Sequence, residues 1–571
     1  MEGLLQEMLR IPEIAELKKN IDAGDCRALV TGPGPVHRTM TAAALAHATG
    51  RPLVMLCSDE REVRRAASDL SSLLETEVVE LPPRELQFHA IDAASRDWEY
   101  RRLGALCRIA SGQVRAVVTT APALAQRCIP PQVLREAVLH LECGQQWDLD
   151  ELLCRLTAAG YVSAPAVEGP GQFARRGGIL DIFSPGAEHG VRCEFFDDEL
   201  DSMGTFSTDT QRRIENIREA SFLPAGEFLP FWREGAAEAL AERMEKTAGR
   251  LRKAGSEELK ETLRSDAELL RRGITPPGTD RYGAAVYETR ATALDYFAPD
   301  TLLAVGEGGR ISEDLHAWLS QLSLDLSTAV SAGHLSGDLA EPAISQDELT
   351  DRLTDFVSVQ MESLPTSRYL LLPTALLQMQ LIQLSGYGGS LDAAILDLTH
   401  YLTDGDRVLV LCASRARARN LSQMLEERKI SAALDFEGST LPQRGQVLIS
   451  LGSLSFGSEF PSLHLAVLTE GQLLSSSIRH KKVRPISKKD PARQQLQSYT
   501  DLTPGDLVVH VHHGIGRFVG IQRMPVDGVE KDYIKIDYAG GDCLYVPATS
   551  LDLVSIRILW IDTKSARDVL C

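Results

Sequence analysis

Short apolar runs alternate with amphipathic helical patterns in two separate stretches of the chain, and this alternation constrains the fold more than any other feature. In the first stretch, the runs RALVTG (27–32), PLVMLCSD (52–59) and VRAVVTT (114–120) are typical of buried strands. In the second stretch, RVLVLCAS (407–414) leads into a helical pattern that Ser414 can cap. Because strands that alternate with helices form parallel sheets with helical crossovers, the sequence predicts two α/β domains.

The regions between and after these two stretches have a different pattern. From 143 to 225, short alternating runs separated by Gly, Pro and acidic turns are typical of a small antiparallel sheet. Residues 227–280 are highly charged with one apolar stripe, which predicts solvated helices. Residues 477–493 carry seven Lys/Arg against one Asp and are interpreted as a linker, with loose DNA contact as an alternative. Residues 501–556 show short strands joined by Gly or Asp turns, as in a small barrel.

Charge and cysteine content narrow the class of protein. The 571 residues are too many for one core, and the net charge is −19, from 60 Lys+Arg and 79 Asp+Glu. A surface this acidic excludes a protein that coats nucleic acid, so we expect protein partners and only local DNA contacts. The ten cysteines form no C-x-x-C pair, and no apolar run is long enough to cross a bilayer. We therefore expect a soluble, cytoplasmic monomer without a membrane partner.

The segment GPGPVHRT (32–39) lies between a predicted strand and a helix, where a phosphate-binding loop would be. The G-x-x-x-x-G-K-[ST] pattern needs its second glycine to aim amides at phosphate and its lysine to contact the β/γ oxygens. Gly32 and Thr39 fit that pattern, but His37 replaces the glycine and Arg38 replaces the lysine. Two prolines also remove backbone donors. No strand is predicted to end in an acidic pair suited to Mg²⁺. We expect a scaffold without catalytic residues or a cofactor; residual ATP binding is the alternative.

Two neighbouring segments carry a family resemblance. GPGQFARRGGILDIFSPG (169–186) and VRCEFFDDELDSMGTFSTDTQR (191–212) resemble the module that the excision-repair subunit UvrB shares with the transcription-repair coupling factor family, in which it binds UvrA. Two arginines precede a Gly-Gly turn beside an exposable Phe173 or Phe183, a combination typical of interface anchors. Phe195 and Phe196 are expected in the core. The resemblance implies UvrA contacts at Arg175, Arg176, Phe183 and Arg212.

A second resemblance covers Leu502–Ser555. Its pattern H-x-x-H-G-I-G-R-F-x-G, followed by L-Y-V-P, resembles the RNA polymerase-interacting domain of the same family and of CarD-type regulators. This resemblance implies binding to the polymerase β subunit by addition to a sheet edge. The candidate edge is Arg517–Met524, with Arg517, Phe518, Ile521 and Met524 as exposed contacts. A metal at His510, His512 and His513 is not expected, because two of them lie on opposite faces of a strand without further ligands.

The two resemblances and the α/β stretches follow the order of domains in this family and predict an α/β multidomain fold. Its degenerate UvrB-like, helicase-type α/β domains carry an inserted small β-rich domain, and a small CarD-like β-barrel follows. The predicted domains are 1–132, the first part of a degenerate nucleotide fold; 133–213, UvrB-like and UvrA-binding; 214–350, a return to the first domain with charged helices; 351–473, a second α/β domain; 474–500, a basic linker; 501–557, CarD-like; and 558–571, an atypical tail.

The resemblance implies a function in transcription-coupled nucleotide excision repair, as an adaptor that binds stalled RNA polymerase and recruits UvrA. In the family, an ATP- and Mg²⁺-dependent DNA translocase makes most of the DNA contacts. We do not recognise that motor in this sequence, so we expect this chain alone to be inactive as an enzyme. Two alternatives stay open: a UvrB-like damage-recognition helicase subunit, and a CarD-like transcription regulator without enzymatic activity. Nucleotide hydrolysis would distinguish the first alternative, and UvrA binding would exclude the second.

Overall fold

The computed structural model describes most of the chain. It covers residues 1–24, 26–86, 96–251, 257–276, 282–337, 339–384, 386–387, 391–438, 440–474, 493–495, 505, 507–510, 514–526, 529–538, 543–547 and 554–557. In these ranges no helix is both long and apolar enough to cross a membrane. The predicted tail at 558–571 and nearly all of the predicted linker at 474–500 lie outside the described residues.

The N-terminal part alternates strands and helices, as the sequence predicts. The strands Leu53–Cys57 and Ala116–Thr120 are buried along their whole length. Their continuous apolar sequences are typical of strands that are covered on both faces of a sheet. The elements in chain order are α1 (Glu2–Met8), α2 (Pro12–Asp22), β1 (Arg27–Thr31), α3 (Pro35–Thr49), β2 (Leu53–Cys57), α4 (Glu60–Leu74), β3 (Val78–Leu81), α5 (Asp97–Ala110), β4 (Ala116–Thr120), α6 (Ala121–Ala125), β5 (Arg127–Cys128) and α7 (Pro131–Ala137).

The next part forms a small β-rich unit. Its main sheet has six strands, and all but one of its pairings are antiparallel. The elements are β6 (Leu139–Glu142), α8 (Leu149–Ala158), β7 (Val162–Ser163), β8 (Gln172–Arg176), β9 (Ile179–Phe183), β10 (Gly190–Phe196), β11 (Glu199–Phe206), β12 (Arg213–Ile217) and β13 (Glu219–Phe222). Because β13 pairs with β6, the unit closes on itself near residue 222 rather than at the predicted boundary of 213.

The chain then returns to the first unit through the charged helices that the sequence predicts. The elements are α9 (Ala236–Arg250), α10 (Glu257–Arg271), α11 (Gly283–Val286), β14 (Ala291–Thr292), a 3-10 turn at Ala293–Tyr296, β15 (Leu302–Gly306), α12 (Gly308–Ser331), α13 (Gln346–Leu353), β16 (Val357–Glu362) and β17 (Ala375–Gln378). Helices α9 and α10 bury one apolar face against the core of this unit, and their charged faces stay exposed.

One parallel seven-stranded sheet organises the first unit, in the order β17–β1–β16–β15–β2–β4–β3. Strand β1 therefore lies between two strands that come more than 300 residues later. The predicted start of the second α/β domain at residue 351 differs from the structure, because β16 and β17 belong to the first sheet. The parallel arrangement brings the carboxyl ends of β1, β15 and β16 to one edge.

The second α/β unit has a six-stranded sheet in the order β18–β22–β23–β19–β21–β20. Its elements are β18 (Ile382–Leu384), α14 (Leu391–Thr403), β19 (Arg407–Cys412), α15 (Arg415–Glu426), β20 (Ala432–Asp435), β21 (Val447–Leu451), β22 (Gly457–Phe460), a 3-10 turn at Pro461–Leu463, β23 (Leu465–Thr469) and α16 (Glu470–Leu474). The predicted cap is confirmed, since the Ser414 Oγ accepts a hydrogen bond from the Arg417 amide at 3.4 Å.

An apolar cluster joins the two α/β units. Met1, Leu4 and Met8 of the N-terminal segment are buried in the same cluster as Leu411 and Phe460 of the second unit. An ion pair between Arg407 and Glu7, 2.7 Å apart, lies beside it.

The last described strands form one six-stranded antiparallel sheet, in the order β24–β29–β25–β26–β27–β28. They are β24 (Arg493–Gln495), β25 (Leu507–His510), β26 (Gly514–Val526), β27 (Val529–Asp537), β28 (Cys543–Pro547) and β29 (Val554–Arg557). The sheet has a small core, built on Val508, Phe518, Ile534, Ile536 and Val546. The predicted β-rich character of this region is confirmed, whereas barrel closure is not established by these strands.

Candidate functional sites

The loop after β1 directs its amides at the protein rather than outward. The Gly32 amide donates to the Glu362 carbonyl at 2.8 Å, and the Gly34 amide donates to the His37 Nδ1 at 3.3 Å. Gly32 has a φ of 109°, and a Cβ there would lie 2.1 Å from the Met379 carbonyl oxygen. The backbone that follows β17 therefore packs directly on this loop, where a phosphate-binding loop would face its ligand.

His37 and Thr39 are buried within the start of α3. Burial lowers the pKa of His37 to about 4, so its imidazole is neutral near pH 7. Its ring contacts the edge of Phe460, with centroids 5.9 Å apart. The Thr39 hydroxyl donates to the Pro35 carbonyl at 3.3 Å. Neither side chain has the exposure that a contact with phosphate or Mg²⁺ would require.

Arg38, which replaces the lysine of the phosphate-binding pattern, is used inside the fold. Its side chain is 4% exposed and pairs with Glu62 at 2.7 Å and with Glu307. Its Nη1 also donates to the Ser363 hydroxyl at 3.2 Å. The Glu62 carboxylate is held in turn by the amide and hydroxyl of Ser58, at 3.1 and 2.9 Å. The guanidinium is therefore neutralised by the protein's own carboxylates.

Two carboxylates at the carboxyl edge of the sheet were missed by the sequence analysis. Glu307 follows β15 and Glu362 ends β16, so two single acidic residues from different strands, rather than an acidic pair on one strand, lie near this loop. Burial and the neighbouring Glu307 raise the pKa of Glu362 to about 7. Although burial opposes its ionisation, the Ser363 hydrogen bond and the Arg38 charge lower the pKa of Glu307. We call Arg38, Glu62, Glu307 and Glu362 the buried ion cluster. The cation of this cluster is the Arg38 guanidinium.

In the β-rich unit, two hairpin turns lie side by side at one end of the sheet. Gly177, with a φ of 63°, and Gly178 form the β8–β9 turn, while Asp197 at a φ of 58° begins the β10–β11 turn. The Phe195 amide donates to the Gly178 carbonyl at 2.8 Å, and a Cβ on Gly178 would lie 2.9 Å from the Phe195 carbonyl oxygen. The Gly-Gly pair is thus required for the two turns to pack together.

Two of the predicted arginines, Arg175 and Arg176, lie at this hairpin end, and the third, Arg212, lies at the opposite end of the sheet. Arg175 is exposed and pairs with Asp150 at 2.5 Å. The side chain of Arg176 is 47% exposed and pairs with Asp181, whose carboxylate is fully buried and also binds Arg192 at 2.7 Å. Arg212 is exposed on the segment before β12. All three predicted arginines therefore have side chains that a partner can reach.

The aromatic residues of this unit correct the sequence expectations. Phe173 and Phe183, proposed as exposable anchors, are both buried, in separate apolar clusters on opposite faces of the sheet. Phe195 packs partly against the core as expected, but Phe196 is 81% exposed. Phe196 directly precedes the Asp-Asp turn, and this hairpin sequence was the signal that could have identified it. The exposed aromatic ring at the hairpin end is Phe196.

In the last sheet, β26 pairs with β27 along most of its length. Strand β25 covers only the part of β26 from 514 to 517, and no other described strand pairs with 518–526 on that side. Arg517 is exposed and Ile521 half-buried, but Phe518 is buried, which corrects its assignment as an exposed contact. Neighbouring residues in a strand point to opposite faces, so Arg517 and Phe518 could not both face solvent. The side chain of Met524, together with His512 and His513, lies outside the described residues.

Comparison with known proteins assigns these two β-rich regions. The family described as UvrB interaction domain matches residues 139–228, and the family described as CarD-like/TRCF RID domain matches residues 502–558. The Transcription-repair-coupling factor of Bacillus subtilis (strain 168) is 31% identical over 540 residues, which are 92% of this chain and 44% of that protein. The chain is a homologue of the transcription-repair-coupling factors.

A further relative agrees with this assignment. The Transcription-repair-coupling factor of Staphylococcus aureus (strain MRSA252) is 27% identical over 543 residues, 93% of this chain and 45% of that protein. The chain thus spans less than half the length of the curated coupling factors it matches. A solved structure titled XPD_Helicase aligns with 79% of this chain and 81% of its own, at 9% identity and a TM-score of 0.20.

Proposed function

We propose that this coupling-factor homologue acts in transcription-coupled nucleotide excision repair as an adaptor between RNA polymerase and UvrA. One observation carries the proposal: a UvrB interaction domain and a CarD-like/TRCF RID domain occur in one chain that matches coupling factors over 92% of its length. A UvrB-like helicase subunit would leave the second domain unexplained, and a CarD-like regulator would leave the first unexplained.

The UvrA-binding surface is proposed at the hairpin end of the β-rich unit. Arg175 and Arg176 supply exposed guanidinium groups there, and Phe196 supplies an exposed ring beside the same turns. Arg212, exposed at the opposite end of the sheet, is proposed as a separate contact. Arginine and aromatic side chains are enriched among residues that dominate binding energy, because they combine large contact area with directed hydrogen bonds. Phe183 is buried with Val167, Ala174 and Phe206 and is not proposed as a direct contact.

The polymerase-binding surface is proposed along β26, beyond the part that β25 covers. A strand edge can add to a sheet of the polymerase β subunit through main-chain hydrogen bonds, with Ile521 and Met524 as side-chain contacts and Arg517 beside them at the last position that β25 covers. Phe518 then holds the strand on its own core. We also propose that the sheet closes into a small CarD-like barrel, and that the α/β units are degenerate helicase-type domains of a cytoplasmic monomer.

Nucleotide is not expected to contribute to either interaction. The loop after β1 donates its glycine amides internally, and Arg38 is neutralised by Glu62 and Glu307. We therefore propose that this chain by itself neither requires ATP and Mg²⁺ nor hydrolyses ATP. The ATP-dependent DNA translocation that the family resemblance implies is assigned to no residue described here.

Assembly of a ternary complex tests the proposal. Purified RNA polymerase is immobilised, the chain is added, and UvrA capture is then measured. The expected result is that UvrA binds only after the chain. Phe196→Ser should abolish UvrA capture while the chain still binds polymerase, whereas Leu324→Ser, which changes a 59% exposed residue of α12, should leave both steps intact. If UvrA bound the polymerase surface equally well without the chain, or if the chain captured neither protein, the adaptor function would be excluded.

A further inference from the structure

The start of α15 carries a concentration of positive charge that the proposed adaptor function does not use. Arg415, Arg417 and Arg419 are the first, third and fifth residues of this helix, and no acidic residue lies in its first turn. Cations near a helix N-terminus face the positive end of the helix dipole, and like charges four residues apart repel each other. The arrangement is therefore electrostatically unfavourable unless an anion is bound near it.

Two of these arginines share one aromatic ring. The guanidinium carbons of Arg415 and Arg419 lie 5.5 and 5.9 Å from the ring centroid of Phe436, the residue that follows β20. Both side chains are exposed, and within the described part of the chain neither has a carboxylate partner or a side-chain hydrogen bond. Packing on the ring restricts their rotamers, so the two cations are held together in advance of any ligand.

Their surroundings contain little negative charge that could neutralise them. Glu470, at the start of α16, pairs with Arg417 at 3.5 Å and leaves the other two arginines without a partner in the described residues. Asp435 accepts hydrogen bonds from Glu437, Gly438 and Thr440 within its own turn. On a chain with a net charge of −19, an uncompensated pair of cations is a local exception.

Another arginine stacked on an aromatic ring also has a carboxylate partner. Arg155 lies 5.1 Å from the ring centroid of Trp147 and also pairs with Glu151 at 2.8 Å. Arg428, just beyond the end of α15, is likewise paired, with Asp392 at 3.4 Å. Stacking on an aromatic ring therefore does not by itself exclude a carboxylate partner, and the Arg415–Arg419 pair differs from both in having none among the residues that the structure describes.

The position of the pair in the fold also suits a ligand. Strand β19 ends at Cys412, two residues before the cap of α15, and β20 ends at Asp435, next to Phe436. Strands β19, β20 and β21 are mutually parallel, so the arginines and the ring meet at the carboxyl edge of the second sheet. Ligands of open α/β sheets bind at this edge.

We propose that Arg415 and Arg419, stacked on Phe436, form a binding surface for the phosphodiester backbone of nucleic acid. The planar guanidinium group matches the geometry of phosphate oxygens and forms paired hydrogen bonds with them. Both arginines pack on the Phe436 ring, so the groups that they present to a ligand are two guanidinium cations. Such a surface recognises the phosphate backbone and not base edges. The proposal does not depend on UvrA or polymerase binding and is tested without either protein.

The test measures binding of the full chain to a short fluorescent DNA duplex, and to the single strand and the RNA of the same sequence, over a series of salt concentrations. The double variant Arg415→Ala/Arg419→Ala should lower the slope of log affinity against log salt by about 0.9 for each phosphate that the chain no longer neutralises, thus by nearly two. The matched control Arg428→Ala should keep the wild-type slope. The basic segment 477–493 is unchanged in every variant. Lysine at both positions should restore most of the salt slope but less of the affinity, since lysine lacks the planar fork.

Each outcome is informative. A weakening shared by duplex, single strand and RNA supports recognition of the backbone alone, and a weakening confined to one of them supports the proposal and identifies the form that is bound. Equal slopes and affinities for the double variant and the wild type would overturn the proposal. So would displacement of the arginine-dependent signal by polyglutamate at the same charge concentration as DNA, because that result would assign the surface to an acidic protein.

Discussion

Two arginines of this chain, Arg38 and Arg176, each pair with acidic side chains but have opposite surroundings. Arg38 is 4% exposed and is enclosed by Glu62 and Glu307 at the carboxyl edge of the first sheet. Arg176 is 47% exposed at a hairpin end, although its partner Asp181 is fully buried. The Arg38 guanidinium is enclosed by the protein, whereas the Arg176 guanidinium still presents donors to solvent.

The difference shows that burial, rather than residue type or the presence of an ion pair, separates a structural arginine from one available to a partner. Removing one member of a buried pair leaves an uncompensated charge and is strongly destabilising. In the second pair only the arginine is exposed, and its buried partner Asp181 is also held by Arg192, so Arg176 can exchange partners at a smaller cost. Substitutions in the two regions should therefore affect different measurements, folding in one case and binding in the other.

The largest effect is expected at the buried ion cluster. Arg38→Met should lower the free energy of unfolding by about 3–5 kcal/mol, because Glu62 and Glu307 lose their cation. Urea denaturation followed by circular dichroism measures this decrease. As a control, Arg108→Met removes the pair with Glu77, whose side chain is 76% exposed, and should cost about 0–1 kcal/mol. Equal decreases for the two variants would show that burial does not distinguish them.

The next effect concerns the edge of β26 and polymerase binding. Consecutive N–H groups of a strand point to opposite sides, so of Ile521→Pro and Gln522→Pro one removes a donor facing β27 and the other a donor at the uncovered edge. Only the variant that removes a donor at the uncovered edge should keep the wild-type circular dichroism spectrum and still lose polymerase binding. Alanine at either position should only weaken binding. Full binding by both proline variants would exclude this edge as the polymerase contact.

A smaller effect is expected at the hairpin end. Arg176→Glu should weaken UvrA binding by about 2 kcal/mol or more if the residue dominates the contact, while the protein stays folded because Arg192 still pairs with Asp181. Titration calorimetry with UvrA gives the change directly. Arg155→Glu, which alters a paired and stacked arginine in the same unit, is the matched control and should bind normally. A folded Arg176→Glu protein with wild-type affinity would remove this residue from the interface.

The smallest effect is a change in pH dependence. The pKa of Glu362 is raised from an ordinary 4.5 to about 7, so the folded chain holds this proton more tightly than the unfolded chain. The resulting stability is fully present below pH 4.5 and is lost as the pH rises to about 7. Glu362→Gln imitates the protonated form. The unfolding midpoint of this variant should therefore rise relative to that of the wild type as the pH increases from about 5 to about 8. A pH-independent difference between the two proteins would contradict this assignment.

Sequence alone predicted the elements whose patterns are local. Continuous apolar runs identified β1, β2, β4 and β19, and the capping serine at 414 was predicted correctly, because each depends on a few neighbouring residues. Strands β15 and β16 were missed, and with them the boundary at residue 351. Their insertion between β1 and β2 depends on pairings across hundreds of residues, which no local pattern contains.

The candidate sites followed the same division. The arginines next to the Gly-Gly turn were predicted from the turn itself, since residues at a hairpin end are exposed. The burial of Phe183 and Phe518 and the exposure of Phe196 were not predicted, because the face of a strand depends on its register with its partner. The buried ion cluster was also missed, as it assembles residues 38, 62, 307 and 362 from four separate segments.

Thermal unfolding of the chain in a titration of Mg-ATP tests most directly the claim that the loop after β1 is closed and does not bind ATP. We expect the same unfolding midpoint at every ATP concentration, because Arg38 is already neutralised by Glu62 and Glu307. A ligand at about 100 times its Kd would add about 2.7 kcal/mol to the stability of the folded state. A saturable rise of several degrees in the unfolding midpoint with Mg-ATP would therefore contradict a closed loop and show that the loop still binds nucleotide.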